Sequence, residues 1–416
     1  MSRKVINVNR IRILYVHHGY GIGGAPLSLL YLLQQLPRHR FEPVVLCLHD
    51  GPAADLYRRE GIETHVNRTL VDFSHTNLHW YRLTHPGDWK QILRLVWRYR
   101  ATIKATRCFL YDHPVDLVHL NSSSLVPCAV GARQAGVPVV WHIREPLAFG
   151  YFGLRRKFIQ RAIYQYANRV IAICENDADQ LIRDDRVRIV YNFVNFKQFD
   201  RNLPRSDFRQ ELGLDDHTPL VAMLGGVSKT KGTLPFVQAL PAVKNAIPTV
   251  KFLVVGSTGG NSSLGGSVKQ TVKKIFGRFF YSERVFDFIR RHNLSDSVIF
   301  TGVRQDIPHL LAAVDVLVFP STTPHFARPI IEAGAMAKPV VASNLGGPQE
   351  LVRHGETGFL VPPNDPDALA KAVVTILTNP TLAQQMGEAG YEQAKSRFDA
   401  KVNVAQTLAV YEELLG

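Results

Sequence analysis

The sequence predicts an α/β protein made of two tandem Rossmann-like domains, each with a doubly wound parallel sheet, facing a cleft. Short runs rich in β-branched residues alternate with longer helical patterns along the chain, as in repeated βαβ units. The chain also has 416 residues, more than one hydrophobic core usually serves. Two domains of roughly 200 residues each are therefore expected.

Two series of strands are predicted, separated by weaker periodicity near residue 200. The first series is RILYV at 12–16, EPVVLCL at 42–48, VDLVHLN at 115–121, PVVWHI at 138–143, NRVIAIC at 168–174 and VRIVYN at 187–192. The second series is LVAMLGG at 220–226, KFLVVGS at 251–257, SVIFTG at 297–302, DVLVFPS at 315–321, KPVVAS at 338–343 and GFLVP at 358–362. The domains are placed at 1–200 and 201–395, and the helical pattern at 396–416 is expected to pack back on the first. Ligands are expected at the carboxyl ends of the strands, in the cleft.

Composition is typical of a globular protein, with 46% hydrophobic and 20% charged residues. The first apolar run, Ile11 to Val16, is too short for a signal sequence or a membrane span. The four cysteines are widely spaced, which indicates neither a disulfide framework nor a zinc site. A cytoplasmic location is expected.

Positive charge is concentrated in the first half. Residues 1–200 hold 27 Lys and Arg against 16 Asp and Glu, a net charge of +11, and the remainder holds 22 against 19, a net charge of +3. The helical pattern at 85–113 places Lys90, Arg94 and Arg98 along one side, which suits an anionic membrane surface. A core-facing helix with a solvated basic face is the alternative. A peripheral location on the inner face of the cytoplasmic membrane is thus considered, whereas no nucleic-acid-binding module is recognised.

A glycine-rich turn, HHGYGIGG, follows the first predicted strand. Gly19, Gly21 and Gly24 match G-x-G-x-x-G, and Asp50 lies just past the second strand, so an NAD-dependent oxidoreductase is one interpretation. A second is a purely structural, tight strand-to-helix turn in which glycine is needed only for positive φ and close packing. In the third, the backbone amides of Gly23 and Gly24 contact a donor phosphate or an acceptor.

Two segments of the second half resemble the donor-binding half of family 4 glycosyltransferases: VAMLGGVSKTKG at 221–232, and STTPHFARPIIEAGAMAKPVVASNLGGPQELVRHGETGFLV at 321–361. A weaker likeness continues through VDLVHLN and IVYNFVNFKQF in the first half. The resemblance covers most of the chain and implies the two-domain GT-B fold, with the acceptor on the first domain and the donor on the second.

The resemblance implies hexosyl transfer from a UDP- or GDP-sugar to a glycan or lipid-linked acceptor, with retention of anomeric configuration and without a metal ion or other cofactor. Envelope or exopolysaccharide synthesis is the expected context. Three alternatives remain: a sugar-nucleotide epimerase of the same fold, the NAD-dependent oxidoreductase, and a non-catalytic nucleotide-sugar-binding relative.

In the family, a Lys-Gly pair grips the donor diphosphate, and Lys231 and Gly232 match it. An ammonium there can neutralise charge that builds on the leaving diphosphate. The arginine that the family places ahead of the lysine is absent, since Gly226 occupies its position. Lys229 is a candidate substitute, although an ammonium lacks the bidentate geometry of a guanidinium.

The family also carries two glutamates seven positions apart; Glu332 matches the second, and His325 replaces the first. The resemblance implies that Glu332 accepts hydrogen bonds from the donor ribose. His325 is expected to contact the donor sugar or to donate to the diphosphate. Phe326, Ala327 and Arg328 would form a turn facing the diphosphate.

In the first domain, His142 in PVVWHIREP matches an active-site histidine of the family; a polar core residue is the alternative. Arg144 and Glu145 would orient His142 or contact the acceptor. The predicted catalytic residues are therefore His142, Lys231 and Glu332.

Overall fold

The computed structural model describes residues 10–73, 86–147, 149–258 and 281–416. The chain divides into two compact units, one made of residues up to Phe193 with Ala400–Gly416, the other of Val194–Asp399. The division falls at Phe193 rather than at the expected residue 200. The Val194 amide donates to the Phe398 carbonyl at 2.9 Å, which ties the connecting segment to the end of the second unit.

In the first unit, the described residues form a seven-stranded parallel sheet in the order β3-β2-β1-β4-β5-β6-β7. The strands are β1 Ile11–His17, β2 Phe41–Cys47, β3 Glu63–Val66, β4 Leu117–Leu120, β5 Val139–Ile143, β6 Arg169–Ala172 and β7 Val187–Ile189. The helices are α1 Gly24–Gln35, α2 Pro52–Arg59, α3 Pro86–Asp112, α4 Val126–Gln134, α5 Leu154–Tyr166, α6 Glu175–Ala178 and the last helix of the chain, α15, Ala400–Leu415.

Sequence analysis did not predict β3. Its sequence, ETHV, contains no apolar run, and none of its residues is fully buried. Among the described residues it is an edge strand that pairs with β2 alone, and its composition differs from that of the central strands.

In the second unit, the described residues form a six-stranded parallel sheet in the order β10-β9-β8-β11-β12-β13. The strands are β8 Leu220–Leu224, β9 Lys251–Val255, β10 Val298–Gly302, β11 Val316–Phe319, β12 Val340–Ser343 and β13 Gly358–Val361. The helices are α7 Ser206–Glu211, α8 Thr233–Ala246, α9 Tyr281–Arg291, α10 Ile307–Ala313, α11 Arg328–Ala335, α12 Gly347–Leu351, α13 Pro366–Leu377 and α14 Pro380–Arg397. Two parallel doubly wound sheets confirm the predicted fold class.

Helix starts in the second unit follow from local sequence. The Asp365 side chain accepts a hydrogen bond from the Ala368 amide at 2.9 Å and caps α13. Asn379 caps α14 in the same way, through the Leu382 amide at 3.0 Å. In both helices a proline follows the cap, where its missing N–H costs no intrahelical hydrogen bond.

Alternate residues of the strands in the first unit face two different helical layers. Val118 and Leu120 pack in a core that includes residues of α4 and α5. Leu117 and Val140 pack in the opposite core, with residues of α1 and α15. Because side chains alternate along a strand, His119 and His142 share the face that α15 covers.

The helix α3 has two halves of different character. Thr102, Thr106 and Leu110 in its second half are buried, whereas Leu93 and Trp97 in its first half are 68% and 72% exposed. The core-facing alternative therefore applies to the second half alone. Across the described ranges, no helix combines the length and apolar character needed to span a membrane.

Each sheet reverses its strand order once, between β1 and β4 in the first unit and between β8 and β11 in the second. Loops that leave such neighbouring strands diverge to opposite faces of the sheet, which makes their carboxyl ends the usual ligand position in this class of fold. We call these the first and second switch points.

Candidate active site

At the second switch point, the loop from β8 to α8 has a backbone that only glycine can adopt. Gly226 has φ 66°, and a methyl carbon there would lie 2.2 Å from the Ser257 carbonyl oxygen. Gly232, which precedes α8, has φ 77°, and a methyl carbon there would lie 1.7 Å from the Pro320 carbonyl oxygen. The absent arginine is thus explained, because no side chain fits at position 226 in this loop.

The same loop is held against the residues that follow β11. The Thr322 amide donates to the Thr230 carbonyl at 3.0 Å, and the Thr322 hydroxyl donates to the Lys229 carbonyl at 2.7 Å. The Lys229 side chain itself is exposed. Two consecutive loop residues are therefore fixed by their backbones next to Lys231.

Lys231 points its ammonium at an imidazole. Its Nζ lies 2.7 Å from His325 Nε2 and 5.4 Å from the centre of the Phe319 ring. Burial lowers the pKa of Lys231 to about 8. Neither of these two contacting groups carries a negative charge, so the ammonium remains an uncompensated cation, suited to an anionic ligand.

The contacts of His325 define its tautomer. Nδ1 lies 2.8 Å from the Thr323 carbonyl, to which it donates, so Nε2 is the acceptor from Lys231. Burial and the Lys231 ammonium lower the pKa of His325 to about 4. His325 is therefore neutral near pH 7, and its free lone pair is already engaged by Lys231.

The turn after His325 is largely buried. Phe326 and Ala327 are buried, and Ala327 immediately precedes α11. Arg328 Nε donates to Glu332 Oε1 at 2.7 Å, and the two side chains are 11% and 10% exposed. Burial raises the pKa of Glu332, and Arg328 opposes that effect. In this structure the charge of Arg328 is thus compensated by Glu332.

At the first switch point, the backbone of the glycine-rich turn differs from the one that the purely structural interpretation predicted. Gly19, Gly21, Gly23 and Gly24 are not among the residues with positive φ, so that part of the interpretation is wrong, while close packing holds at Gly19, where a methyl carbon would lie 2.9 Å from His17 Nε2. Gly21, Gly23 and Gly24 are exposed, and a methyl group at any of these three would meet no atom within 4 Å. The turn leaves open space before α1.

His17 ends β1, and Asn121 directly follows β4. The Asn121 amide oxygen accepts a hydrogen bond from Arg144 Nε, so its Nδ2 group donates to His17 Nδ1 at 3.2 Å. Burial lowers the pKa of His17, and the neutral ring must then carry its proton on Nε2. That Nε2 is buried and has no hydrogen-bond partner among the described residues.

Arg144 and Glu145, which follow β5, are both held by neutral groups. Arg144 also donates to the Asn192 side chain at 2.9 Å. Glu145 Oε1 accepts hydrogen bonds from the Ser122 hydroxyl at 2.6 Å, the Ser123 amide at 2.8 Å and the Ser123 hydroxyl at 2.6 Å. These contacts fix the side chains of Arg144 and Glu145 at this end of the sheet.

His142 lies inside β5, and its Nδ1 is 3.1 Å from His119 Nε2. His119 is therefore a contact of His142 that was not expected, while a role of Arg144 and Glu145 in orienting His142 or contacting the acceptor stays a prediction. Sequence analysis missed His17, His119 and Asn121, although polar residues inside or just after apolar strand runs were a usable signal. It also missed Tyr411, which bonds to His119 and lies too far along the chain for a local pattern to find.

Two family models match the chain. Residues 204–393 match the model described as glycosyl transferases group 1, and residues 22–198 match glycosyltransferase family 4. The chain belongs to the family 4 glycosyltransferases. This membership confirms the resemblance and the enzyme class, and it does not favour the oxidoreductase or epimerase alternatives.

Among curated relatives, this glycosyltransferase is 25% identical over 391 residues to the Escherichia coli UDP-Gal:alpha-D-GlcNAc-diphosphoundecaprenol alpha-1,3-galactosyltransferase, with 90% of each chain covered. It is 29% identical over 257 residues to the D-inositol 3-phosphate glycosyltransferase of Streptomyces scabiei, with 60% of this chain and 54% of the relative covered.

Solved structures share the fold of this glycosyltransferase. Anabaena HepE, crystallised with UDP and glucose, matches with a TM-score of 0.75 and 24% identity, over 97% of this chain and 100% of that chain. A glycosyltransferase from Rickettsia africae matches with a TM-score of 0.75 and 20% identity, over 98% of this chain and 99% of that chain. These matches confirm the GT-B fold.

Proposed function

We propose that this glycosyltransferase takes its sugar from a nucleoside diphosphate sugar bound at the second switch point. The observation that carries the proposal is the Lys231 ammonium, which contacts a neutral imidazole and an aromatic ring. A partly buried cation whose charge is not compensated by these groups attracts an anion strongly, because solvent screens it poorly. A diphosphate is the anion that this family's donor supplies.

Lys231 stabilises the departing diphosphate during transfer. As the glycosidic bond to the leaving phosphate breaks, negative charge builds on the phosphate oxygens, and a fixed ammonium lowers the energy of that state. Gly232 fixes the backbone of the loop that carries Lys231. Phe326 and Ala327 directly follow His325, the residue that contacts Lys231. Lys229 adds charge from the solvent-exposed side.

Glu332 receives the donor ribose hydroxyls, and its ion pair with Arg328 opposes the rise of its pKa that burial causes. Arg328 thereby supports Glu332, and its own charge is compensated by that ion pair. His325 holds Lys231 instead of reading a sugar hydroxyl, as the glutamate that it replaces would. The sugar contact is therefore altered relative to the family pattern, while the diphosphate contact is retained.

Of the two nucleotides, we favour uridine. HepE is described with UDP and glucose, and the E. coli relative is named for a UDP-galactose donor, whereas none of the relatives reported above is named for a GDP-sugar. Transfer proceeds with retention and needs no metal ion or other cofactor, as the family resemblance implies.

The acceptor binds to the first unit, where His142, Arg144 and Glu145 follow or end β5, and Gly23 and Gly24 border open space before α1. It is a glycan or a lipid-linked sugar of envelope or exopolysaccharide synthesis. The E. coli relative, which matches over most of both chains, is named for a diphosphoundecaprenol-linked acceptor. The excess of positive charge in the first half suits such an anionic lipid.

The enzyme reaches that acceptor from the inner face of the cytoplasmic membrane. Trp89, Leu93 and Trp97 are 57%, 68% and 72% exposed on α3, next to Lys90 and Arg94 on the same half of the helix. Exposed aromatic and aliphatic side chains with neighbouring cations are the composition of helices that lie in a membrane interface.

The test is a thermal-shift screen of UDP, GDP, ADP and NAD and their sugar adducts, followed by a transfer assay to undecaprenyl-diphosphate-linked sugars. UDP and at least one UDP-sugar should raise the melting temperature, since ligands that bind only the folded state stabilise it. Stabilisation by NAD alone would overturn the donor assignment. Tight UDP binding without transfer to any acceptor or water would instead support the non-catalytic alternative.

A further inference from the structure

Three buried titratable side chains of the first unit form one hydrogen-bonded chain. The Tyr411 hydroxyl lies 2.7 Å from His119 Nδ1, and His119 Nε2 lies 3.1 Å from His142 Nδ1. All three side chains are at most 4% exposed. They come from α15, β4 and β5, so the last helix of the chain supplies the group at one end.

The other end of this chain, His142 Nε2, is buried and meets no hydrogen-bond partner in the described ranges. A buried polar nitrogen without a partner costs about 1–3 kcal/mol, and such groups are rare in folded proteins. A bound ligand that supplies an oxygen would remove this cost. The unpartnered atom therefore points to a ligand and not to core packing.

The direction of the chain follows from the donors available. Burial raises the pKa of Tyr411, so its hydroxyl keeps its proton and can donate to His119 Nδ1. Burial and the Arg144 guanidinium lower the pKa of both histidines, so each is neutral and carries one N–H. His119 must then donate from Nε2 to His142 Nδ1, which leaves the proton of His142 on Nε2.

The opposite direction would need a second acceptor for the Tyr411 hydroxyl. The buried Tyr15 hydroxyl interacts with that of Tyr411 and has no other hydrogen-bond partner among the described residues. If Tyr411 donated to Tyr15, the Tyr15 proton would be left buried without an acceptor, whereas a Tyr15 hydroxyl that donates to Tyr411 leaves no proton unused. The Phe41 ring packs edge-on against Tyr411 at 6.4 Å and offers no lone pair. The Tyr411 hydroxyl therefore donates to His119.

We propose that Tyr411 and His119 are positioning residues that fix His142 as the Nε2–H tautomer, so that His142 offers an uncharged N–H donor to a hydroxyl oxygen of the bound sugar. This inference rests on the proposed function, in which His142 belongs to the active site. An uncharged donor suits a hydroxyl oxygen, because it gives a directional hydrogen bond without adding a charge. His17, whose Nε2 is also protonated and unpartnered, offers the same kind of group nearby in the same sheet.

The first experiment is independent of activity. Two-bond proton–nitrogen correlation spectra of the full chain, labelled in its histidines, distinguish the two neutral tautomers, and His142→Gln assigns the signal. In the unsubstituted chain His142 should be the Nε2–H tautomer. In Tyr411→Phe the Nδ1–H tautomer should appear beside it. Thr407→Val is the matched control, since it removes another buried hydroxyl of α15, bonded to the Asn403 carbonyl, and should leave the tautomer unchanged.

The second experiment measures turnover with the donor identified above. Tyr411→Phe should lower kcat about fivefold, the effect of one neutral hydrogen bond, with little change in the KM of the donor. His119→Gln should retain activity, because its amide N–H donates to His142 Nδ1 whatever Tyr411 does. Adding Tyr411→Phe to His119→Gln should then cost nothing further.

A protonated Nδ1 on His142 in the unsubstituted chain would overturn the proposal. The proposal would also be overturned if His142 in Tyr411→Phe kept the tautomer and kcat of the unsubstituted chain. A Tyr411→Phe protein in which both His142 tautomers are present while kcat is unchanged would overturn it as well. If no sugar is transferred by any form of the chain, the proposed function fails, and the spectra still decide whether Tyr411 and His119 fix the tautomer.

Discussion

At the second switch point a lysine ammonium meets a neutral imidazole, whereas at the first the neutral ring of His17 has a buried N–H without a hydrogen-bond partner among the described residues. Lys231 has a charge that its contacts do not compensate. At the first, Glu145 accepts hydrogen bonds from serine hydroxyl and backbone amide donors, and Arg144 donates to two asparagine side chains. Sheets with the same strand reversal thus offer one site suited to an anion and one suited to hydroxyl groups.

The two glycine-rich loops differ for a related reason. Gly226 and Gly232 have positive φ, and a side chain at either would collide with backbone. Gly21, Gly23 and Gly24 of the first unit meet neither restriction. The first loop leaves open space before α1, whereas the second has a restricted backbone that fixes the position of Lys231. A glycine motif alone therefore says little about which of these purposes it serves.

Removing the cation of the second switch point should have the largest effect. Lys231→Met keeps much of the side-chain volume and removes the charge, so transfer to the acceptor should lose kcat about 100- to 1,000-fold, as when one donor to a developing oxyanion is removed. Single-turnover kinetics with saturating donor measure it, and circular dichroism checks the fold.

Lys229→Met is the matched control for Lys231. Its side chain is exposed, and solvent screening should limit its effect on kcat to a few fold. Equal losses in the two variants would mean that the diphosphate is read by general positive potential and not by the ammonium next to His325.

Restoring the family arginine should damage the second switch point. Gly226→Arg places a side chain at φ 66° and against the Ser257 carbonyl, so the free energy of unfolding should fall by roughly 2–3 kcal/mol. Denaturant titration measures it. Gly213→Arg is the control, since that glycine also has positive φ but faces open space. A more active, equally stable Gly226→Arg protein would contradict the backbone argument.

The fold could be predicted almost completely from the sequence, because buried parallel strands form short apolar runs that helices interrupt; β3 was missed since ETHV lacks such a run. Lys231 and Glu332 could be selected by motif, and their roles in donor binding stay predictions. The pairing of Lys231 with His325 could not, because it joins loops from different strands. Tyr411 was also beyond reach, since its partner His119 lies 292 positions away.

Substituting Glu145 should test the first switch point by itself. Glu145→Gln replaces one acceptor oxygen by a donor amide opposite serine and backbone donors, so the KM of the acceptor should rise about tenfold while the KM of the donor stays constant. Glu60→Gln, at an exposed carboxylate of the same unit, should change neither constant. A rise in the donor KM alone would place Glu145 with the donor.

The pH dependence should distinguish a lysine held by histidine from one held by a carboxylate. Lys231 acts as a cation with a pKa of about 8, so kcat/KM for the donor should fall tenfold per pH unit above pH 8. In His325→Glu the carboxylate favours the ammonium and should raise this limit by about one unit. His325→Gln, a neutral acceptor, should leave it near pH 8. Identical profiles for all three proteins would exclude a contact between position 325 and Lys231 in the working enzyme.

The smallest effect is expected at the surface of the first unit, whose half of the chain carries most of the positive charge. Arg94→Gln should weaken binding to vesicles containing phosphatidylglycerol about fivefold, because one cation near an anionic surface contributes roughly 1 kcal/mol. Co-sedimentation at low and high salt measures it, and added salt should reduce the difference by screening. Lys371→Gln, at an exposed lysine of the second unit, is the control and should bind like the unsubstituted chain. If all proteins bind neutral phosphatidylcholine vesicles equally, the apolar side chains Leu93 and Trp97 are the main contact. If both variants lose the same amount of binding on anionic vesicles, the result contradicts a membrane surface on α3.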